Sequence, residues 1–431
     1  MKPGARLASA VEVLSEVLGR HRPVALALSD WGKSNRFAGS GDRSAIGNLV
    51  YDVLRRKNSL AAQMQSDTPR ALIIAAAPRA FGVSADDVER FADGSKYALS
   101  ALTTEETSGL RSELSAELSP HIQGDFPEWL SNSLERAFGT QVVAQTQALS
   151  TRAPVDLRVN ALKATKEQVV RALSKFDLSD GGFAPQCIRL PAPSGTARTP
   201  NVEVEAAHGR GWFEVQDEGS QIAAALAGAG PRQQVMDLCA GAGGKTLAFA
   251  AQMQNTGQLY AYDADRQQLR PIFERLRRAG ARNVQVMDAG DDAALNALGP
   301  KFDTVFVDAP CTGSGTWRRR PDTKWRVKPA NLATRIAEQQ RVLQSAKDLV
   351  RPGGRLVYVT CSVLPEENAD QVAWFVELSP EFSLIPVADQ WSETLPGEMP
   401  RSAIGSEKTL QLTPHDHQTD GFFIAILERA K

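Results

Sequence analysis

The sequence predicts an α/β protein: an open, mostly parallel sheet, preceded by an all-α segment and a small α+β connector. Three observations predict it. From Trp212 onward, five β-rich apolar runs alternate with helical stretches, which calls for a parallel sheet with helices on both faces. Residues 1 to about 140 carry apolar residues at helical spacing, with no strand alternation of comparable length. Between about 141 and 205 the texture differs from both.

In the first segment, residues 1–140, Leu7, Val11, Leu14, Val17 and Leu18 recur at helical spacing. Ile46, Leu49, Val50, Val53 and Leu54 do the same, after a cap expected around Ser40 to Asp42. In the connector, residues 141–205, Val155–Val159 alternates like a strand and 166–175 reads as a short helix. Pro191, Pro193, Gly195 and Pro200 then mark loops. In the third segment, residues 206–431, strands are expected at 234–238, 258–262, 284–287, 303–307 and 355–359. Helices are expected between them, notably at 266–279 and 330–350.

Composition narrows the function. The 431-residue chain is long enough for two or three domains and a buried catalytic core. A net charge of −1 argues against a histone-like or tail-type nucleic-acid binder, yet leaves room for RNA binding through local patches. The four cysteines form no C-x-x-C pair, so neither a zinc finger nor a disulfide framework is expected, and a reducing cytoplasm is. Glu12 and Glu16 interrupt the N-terminal apolar stripe, which excludes a signal peptide's apolar region. The most membrane-like stretch, 222–230, is far shorter than a bilayer span. His415 and His417 are too isolated to predict a metal site.

A Gly-rich turn, Cys239-Ala240-Gly241-Ala242-Gly243-Gly244-Lys245, follows the first strand of the sheet and opens a helix. Its Gly-Lys-Thr ending suggests a P-loop, but Cys239 stands where that motif needs glycine. Asp263 closes the second strand, about 20 residues on, where a carboxylate can hold ribose hydroxyls. Asp288 closes the third strand and can accept from an adenine amino group. With Asp237, these acidic strand ends describe an adenosine-type site.

Cys311, in Asp308-Ala309-Pro310-Cys311-Thr312, and Cys361, in Thr360-Cys361-Ser362, each closely follow a strand. Strand ends of a parallel sheet face the ligand crevice. Two thiols beside a carboxylate there suit attack on an electrophilic pyrimidine. A thiolate adding to carbon 6 makes carbon 5 nucleophilic enough to take a methyl group, after which a base removes the carbon-5 proton. A donor must neutralise charge developing at ring nitrogen 3. Asp308 can serve if its carboxyl is protonated, or can bond the exocyclic amine. Cys187 and Cys239 are expected to be structural.

Two basic runs stand out. Residues 266–282 hold six arginines against Glu274, a solvated helix face or an RNA contact with equal weight. Residues 318–328 hold six basic residues against Asp322, directly after Cys311. Arg318, Arg319, Arg320, Lys324 and Trp325 are expected to contact RNA at the crevice rim.

These segments resemble a known family. Residues 213–220, the Gly-rich turn, 308–312, 319–325, 360–368, 412–415 and 419–423 are similar to the bacterial ribosomal RNA (cytosine-5)-methyltransferases of the Fmu/Sun, RsmB-like type. That type sits within the wider nucleolar RNA methyltransferase family. The resemblance runs from about residue 150 to the end. It implies a Rossmann-like S-adenosylmethionine methyltransferase domain, with Cys361 as nucleophile and Cys311 assisting product release. It implies that Cys239 to Lys245, Asp263, Asp288 and Asp308 line the S-adenosylmethionine site. DNA cytosine-5 methyltransferases instead use the Pro-Cys thiol as nucleophile. The connector resembles the family's RNA-binding extension, and residues 41–44 leading into 53–56 are similar to a NusB-like RNA-binding domain. One departure is Gly241-Ala242, where many members have Ala-Pro. The function implied is formation of 5-methylcytosine in RNA, 16S ribosomal RNA foremost, through a covalent Cys–carbon-6 adduct. The alternatives are a non-catalytic RNA-binding or antitermination-type factor, and a DNA methyltransferase using Cys311.

Overall fold

The computed structural model describes residues 1–115 and 117–431. Leu7, Leu14 and Val17 from helix Pro3–Arg20 bury against Ile46, Leu49, Val50 and Val53 from helix Ser40–Arg55. Leu72, Ile73 and Ile74 of helix Pro69–Phe81 complete this all-α core, with Val11 and Leu18 partly buried at its edge. Gly39 caps helix Ser40–Arg55. Its N–H donates to Asp42 Oδ2 at 3.2 Å, and Asp42 Oδ1 also accepts from the Met1 amino group at 3.0 Å and Arg6 Nε at 2.9 Å.

Helices continue through Ser131–Phe138 and, past 140, Val142–Leu149, but they change partners. From Phe126 onward they pack with Trp317, Leu332, Val363 and Leu364, which flank the two cysteine segments. Periodicity marks a helix without marking which core it joins, so this change at Phe126 has no signature in the apolar spacing.

The connector is a four-stranded antiparallel sheet of β1 (Val155–Val159), β2 (Ser179–Asp180), β3 (Cys187–Leu190) and β4 (Phe213–Val215), ordered β2-β3-β1-β4. Strand β4 lies past the expected boundary at 205. All five residues of β1 are buried, including the polar half of its alternation. Asp156 accepts from Arg189 Nε at 2.6 Å and Nη2 at 2.8 Å, and from Glu218 N at 3.0 Å. Arg158 donates to Gly244 O at 2.7 Å. The face that would ordinarily meet water therefore grips the catalytic segment.

The large sheet contains β5 (Gln234–Asp237), β6 (Gln258–Ala261), β7 (Val284–Val286), β8 (Phe302–Asp308), β9 (Val350–Thr360), β10 (Phe382–Ile385), β11 (Leu410–Leu412) and β12 (Phe422–Arg429). Its order is β10-β12-β9-β8-β5-β6-β7, with β11 on β12. The run from β9 to β7 is parallel, while β12 and its neighbours pair antiparallel. The expected strands all form; β10, β11 and β12 extend them into a mixed sheet of eight. Strand β12 is buried on both faces over most of its length, so it shows no alternation to read. Val305, Val307, Leu356 and Tyr358 fill one side of the sheet, and Phe306, Val357 and Val359 the other. The expected helix 266–279 is divided by Pro271, which lacks an N–H, into Arg266–Leu269 and Ile272–Ala279. Among the described residues no helix is long and apolar enough to cross a membrane.

Because β5 sits between β6 and β8, the loops leaving β5 and β8 run to opposite sides and open a crevice at the carboxyl edge. The site is built there.

Candidate active site

Gly241 and Gly243 take left-handed φ of 50° and 82°, which turns the chain tightly after β5 and into helix Gly244–Gln252. A side chain at Gly241 would meet no atom within 4 Å, so the turn faces open space. Asp263 accepts from Gly241 N at 2.8 Å, fixing the turn from the end of β6. Asp288, past the end of β7, is exposed. The turn, the Asp263 carboxylate and the open space above Gly241 fit an adenosine-type ligand.

Asp237 ends β5 fully buried; Thr246 Oγ1 donates to its Oδ2 at 2.6 Å, while Oδ1 has no partner. Burial raises its carboxyl to about 7, against the lowering by Thr246. A carboxyl raised on folding contributes stability below its ordinary pKa and loses it as pH climbs through 7. Asp237→Asn is therefore expected to improve relative to wild type as pH rises from about 4 to about 8. Thermal unfolding at both pH values checks this; a difference in Tm that does not change with pH contradicts it.

At the end of β8, Asp308 accepts from Lys245 Nζ at 2.5 Å. Burial alone would lower the Lys245 pKa; Asp308's charge and hydrogen bond, joined by Asp237 and Cys361, raise it overall, so the ammonium is kept. Its Nζ also lies 5.5 Å from the Phe422 ring centroid.

Cys311 and Cys361, from adjacent parallel strands β8 and β9, bring their Sγ atoms to 3.4 Å. The hydrogen bond with Cys361 and burial push the Cys311 thiol well above its ordinary range. Burial does the same to Cys187 and Cys239, in keeping with their expected inertness.

Sequence reasoning did not single out Glu367, which holds the two cysteine segments together. Fully buried, it accepts from Thr312 N at 2.7 Å, Thr312 Oγ1 at 2.5 Å, Ser362 Oγ at 2.5 Å and Gln339 Nε2 at 3.2 Å. Every one of these donors needs an acceptor, so glutamine would turn an amide donor toward at least one of them. Glu367→Gln is expected to cost about 1–3 kcal/mol of stability and to slow turnover, measured by thermal unfolding and methyl transfer. The signal was available in the 360–368 segment, but a carboxylate's role as a clamp shows only when its partners are placed. Gly315 and Gly421 add a second clamp: Gly315 N donates to Cys361 O at 3.0 Å and Gly421 N to Gly315 O at 2.8 Å. A Cβ on Gly315 would stand 2.1 Å from Gly421 O.

The expected RNA-contacting run needs correction. Arg318 is buried and pairs with Asp420 and, at 3.2 Å, with Asp217. Arg319 pairs with the same two carboxylates and donates to Pro154 O at 2.8 Å. Lys324 is buried, with Nζ on Arg55 O at 2.8 Å and Ser150 Oγ at 3.0 Å; burial lowers it to about 7. Trp325 Nε1 donates to Leu54 O at 2.6 Å. Lys324 and Trp325 thus join the helical segment to the catalytic one, while the Arg318 and Arg319 side chains are engaged by Asp217 and Asp420 within the catalytic segment, so neither buried Lys324 nor buried Arg318 has a face left for a phosphate. Arg320 alone of the five is exposed. Spacing and sign look the same for a buried ion-pair network and a phosphate clamp. Among the described residues no cluster of three or more His, Cys, Asp or Glu could hold a metal.

A family model described as 16S rRNA methyltransferase RsmB/F matches residues 224–428, and one for the ferredoxin-like domain of RsmF/B-like methyltransferases matches 126–196. The chain is 33% identical over 315 residues to a probable ribosomal RNA small subunit methyltransferase B of Synechocystis sp., covering 72% of this chain and 68% of that protein. It is 31% identical over 305 residues to ribosomal RNA small subunit methyltransferase B of Citrobacter koseri, covering 70% and 66%. Among solved structures, a methyltransferase homolog protein from Pyrococcus horikoshii matches with a TM-score of 0.60 and 27% identity, over 73% of this chain and 100% of that one. NSun6 from Pyrococcus horikoshii, solved with SFG, shares the fold with a TM-score of 0.62 at 21% identity, over 71% and 99%.

Proposed function

Because the chain belongs to the RsmB/F family of ribosomal RNA methyltransferases, we propose that it forms 5-methylcytosine in small-subunit ribosomal RNA, with S-adenosylmethionine as methyl donor. The observation that carries this reading is the pair of thiols 3.4 Å apart at neighbouring strand ends, beside the Lys245–Asp308 pair. One thiol can add to a pyrimidine ring while the other stays within reach of the first sulfur and can assist its release.

In this mechanism the Cys361 thiolate gives its electron pair to carbon 6, and the carbon-5–carbon-6 π pair moves toward ring nitrogen 3. The Lys245 ammonium, kept charged by Asp308, neutralises the charge that builds there. Asp308 accepts from the exocyclic amine, a group cytosine has and uracil lacks. The Cys239-to-Lys245 turn with Asp263 and Asp288 would hold S-adenosylmethionine, which would supply an electrophilic methyl group to carbon 5, its sulfur keeping the S–CH3 bonding pair as S-adenosylhomocysteine. A base then removes the carbon-5 proton, the C–H pair reforms the double bond, and the Cys361 sulfur leaves with the pair from the S–C bond, assisted by the Cys311 thiol, which can give that sulfur a proton. The target must leave its stack to offer carbon 6 to a thiolate, so a looped-out or flipped nucleotide is required.

In this reading residues 1–140 act as a NusB-like RNA-binding domain, 141–205 as an RNA-binding connector and 206–431 as the catalytic domain. Arg320 is the residue of the 318–325 run that reaches RNA.

The test is transfer of labelled methyl groups to unmodified small-subunit ribosomal RNA, followed by nucleoside analysis for 5-methylcytosine. Label on another base or another carbon rejects the reading. Asp308→Asn is expected to cost on the order of 10²–10⁴ in kcat, since it removes the charge that keeps Lys245 an ammonium and puts an amide donor in place of one acceptor oxygen. Unchanged turnover in that variant removes Asp308 from the chemistry.

A further inference from the structure

The basic run at 266–282 is divided by the fold into two groups. Arg275 and Arg278 turn inward: both pair with Glu214, at 2.9 and 2.6 Å, and Arg275 Nη1 also donates to Ala242 O at 2.8 Å in the Gly-rich turn. Arg266, Arg270 and Arg277 are exposed and make no ion pair among the described residues. Phe273 and Arg277 stand about one turn apart on helix Ile272–Ala279, off the face of the buried Ile272 and Leu276, and Arg266 and Arg270 stand about one turn apart on helix Arg266–Leu269 and its C-cap. Phe273 is 59% exposed at the centre of that stripe. A merely solvated face would carry mixed charge and no bare aromatic ring; here Glu274 is the only acid from 266 to 282. The stripe continues across the seam to the connector. Exposed Lys163 lies over Gly280, and Asn160 Nδ2 fixes the seam by donating to Ala279 O at 2.9 Å and Gly211 O at 2.8 Å.

We propose that Arg266, Arg270, Phe273 and Arg277, extended by Lys163, form an RNA track that grips the substrate outside its target nucleotide; this rests on the RNA methyltransferase reading. The arginines and Lys163 bind phosphates, and the Phe273 ring stacks on an unpaired base. Arg266 and Arg270 are about 6 Å apart along the first of these helices, and Arg277 follows on the second, so the three can meet different phosphates of one strand. Because Arg275 anchors helix Ile272–Ala279, which carries Phe273 and Arg277, to the Gly-rich turn, that part of the track stands at a fixed distance from the reacting centre. It therefore sets which RNA is presented, and leaves the chemistry of the bound nucleotide untouched.

The experiment uses the full chain as wild type, R266Q/R270Q/R277Q and F273A, each checked for an unchanged melting temperature. Binding to unmodified small-subunit ribosomal RNA is followed across a salt series, and KM and kcat are measured on the same RNA. The triple variant is expected to flatten the slope of log affinity against log salt by about two and to raise KM on the order of tenfold, with kcat kept. F273A is expected to weaken binding on the order of tenfold at an unchanged slope. A wild-type slope in the triple variant overturns the track while leaving the methyltransferase reading intact. So does loss of binding to the small ribosomal subunit but not to naked RNA, which would make the stripe a protein contact. Absence of any salt-dependent RNA binding by the wild type rejects both proposals.

Discussion

Cys361→Ala is expected to abolish methyl transfer, with a loss on the order of 10⁵ or more in kcat, while S-adenosylmethionine still binds. The size follows from the ring chemistry: without an S–C bond at carbon 6, carbon 5 has no electron pair to offer, and no other group in the crevice replaces it. Cys311→Ala is expected to behave differently, keeping addition and losing release. The structure gives a physical reason for that asymmetry. Cys311 is pushed well above the ordinary thiol range by the hydrogen bond it shares with Cys361 and by burial, so it keeps its proton near neutral pH, 3.4 Å from the Cys361 sulfur. A thiol that holds its proton is a poor nucleophile and a good hydrogen-bond donor to a neighbouring thiolate. Methyl-transfer rates for both variants, with cofactor affinity by calorimetry, check the pair; comparable residual activity in Cys361→Ala removes it as nucleophile.

Arg318→Met is expected to cost about 3–5 kcal/mol of stability, because it leaves Asp217 and Asp420 buried with one guanidinium between them. The two arginines hold Asp217 below the usual carboxylate range despite its burial. This cluster joins the N-cap of helix Glu218–Leu226, the segment after Cys311 and the residue leading into β12, so its loss loosens the cysteine segment from two sides. A matching double variant, Arg318→Met with Asp420→Leu, is expected to recover much of the loss, since removing both charges leaves none orphaned. Denaturant or thermal unfolding measures both. The salt dependence of RNA binding is expected to stay at its wild-type slope in Arg318→Met; a shallower slope would return Arg318 to the RNA.

The contrast between these residues explains what could be read beforehand. The alternating strands, the Gly-rich turn, its carboxylates and the two thiols were legible because each follows from local pattern: a β-run, then the chemistry at its end. Strand β12 was not, since burial on both faces removes the alternation that identifies a strand. Glu367 was not, because its role is defined by Thr312, Ser362 and Gln339, which only the fold assembles. Arg318 and Lys324 were misassigned for the same reason: a basic residue near an active site reads identically whether its partner is a phosphate or a distant aspartate. Arg266, Arg270 and Arg277 were left open by the sequence, and the direction each faces separates them from Arg275 and Arg278. The general helical reading of residues 1–140 likewise reached the helices after Phe126 only in part: it stopped short of Val142–Leu149 and did not reveal that they pack on the cysteine segments.

The most direct test of the account is a denaturing-gel assay for covalent protein–RNA adducts. It uses unmodified small-subunit ribosomal RNA, S-adenosylmethionine, and the wild type, Cys361→Ala and Cys311→Ala proteins. The account predicts an adduct that accumulates in Cys311→Ala and is absent from Cys361→Ala. An adduct that forms in Cys361→Ala and disappears in Cys311→Ala would make Cys311 the nucleophile and contradict it.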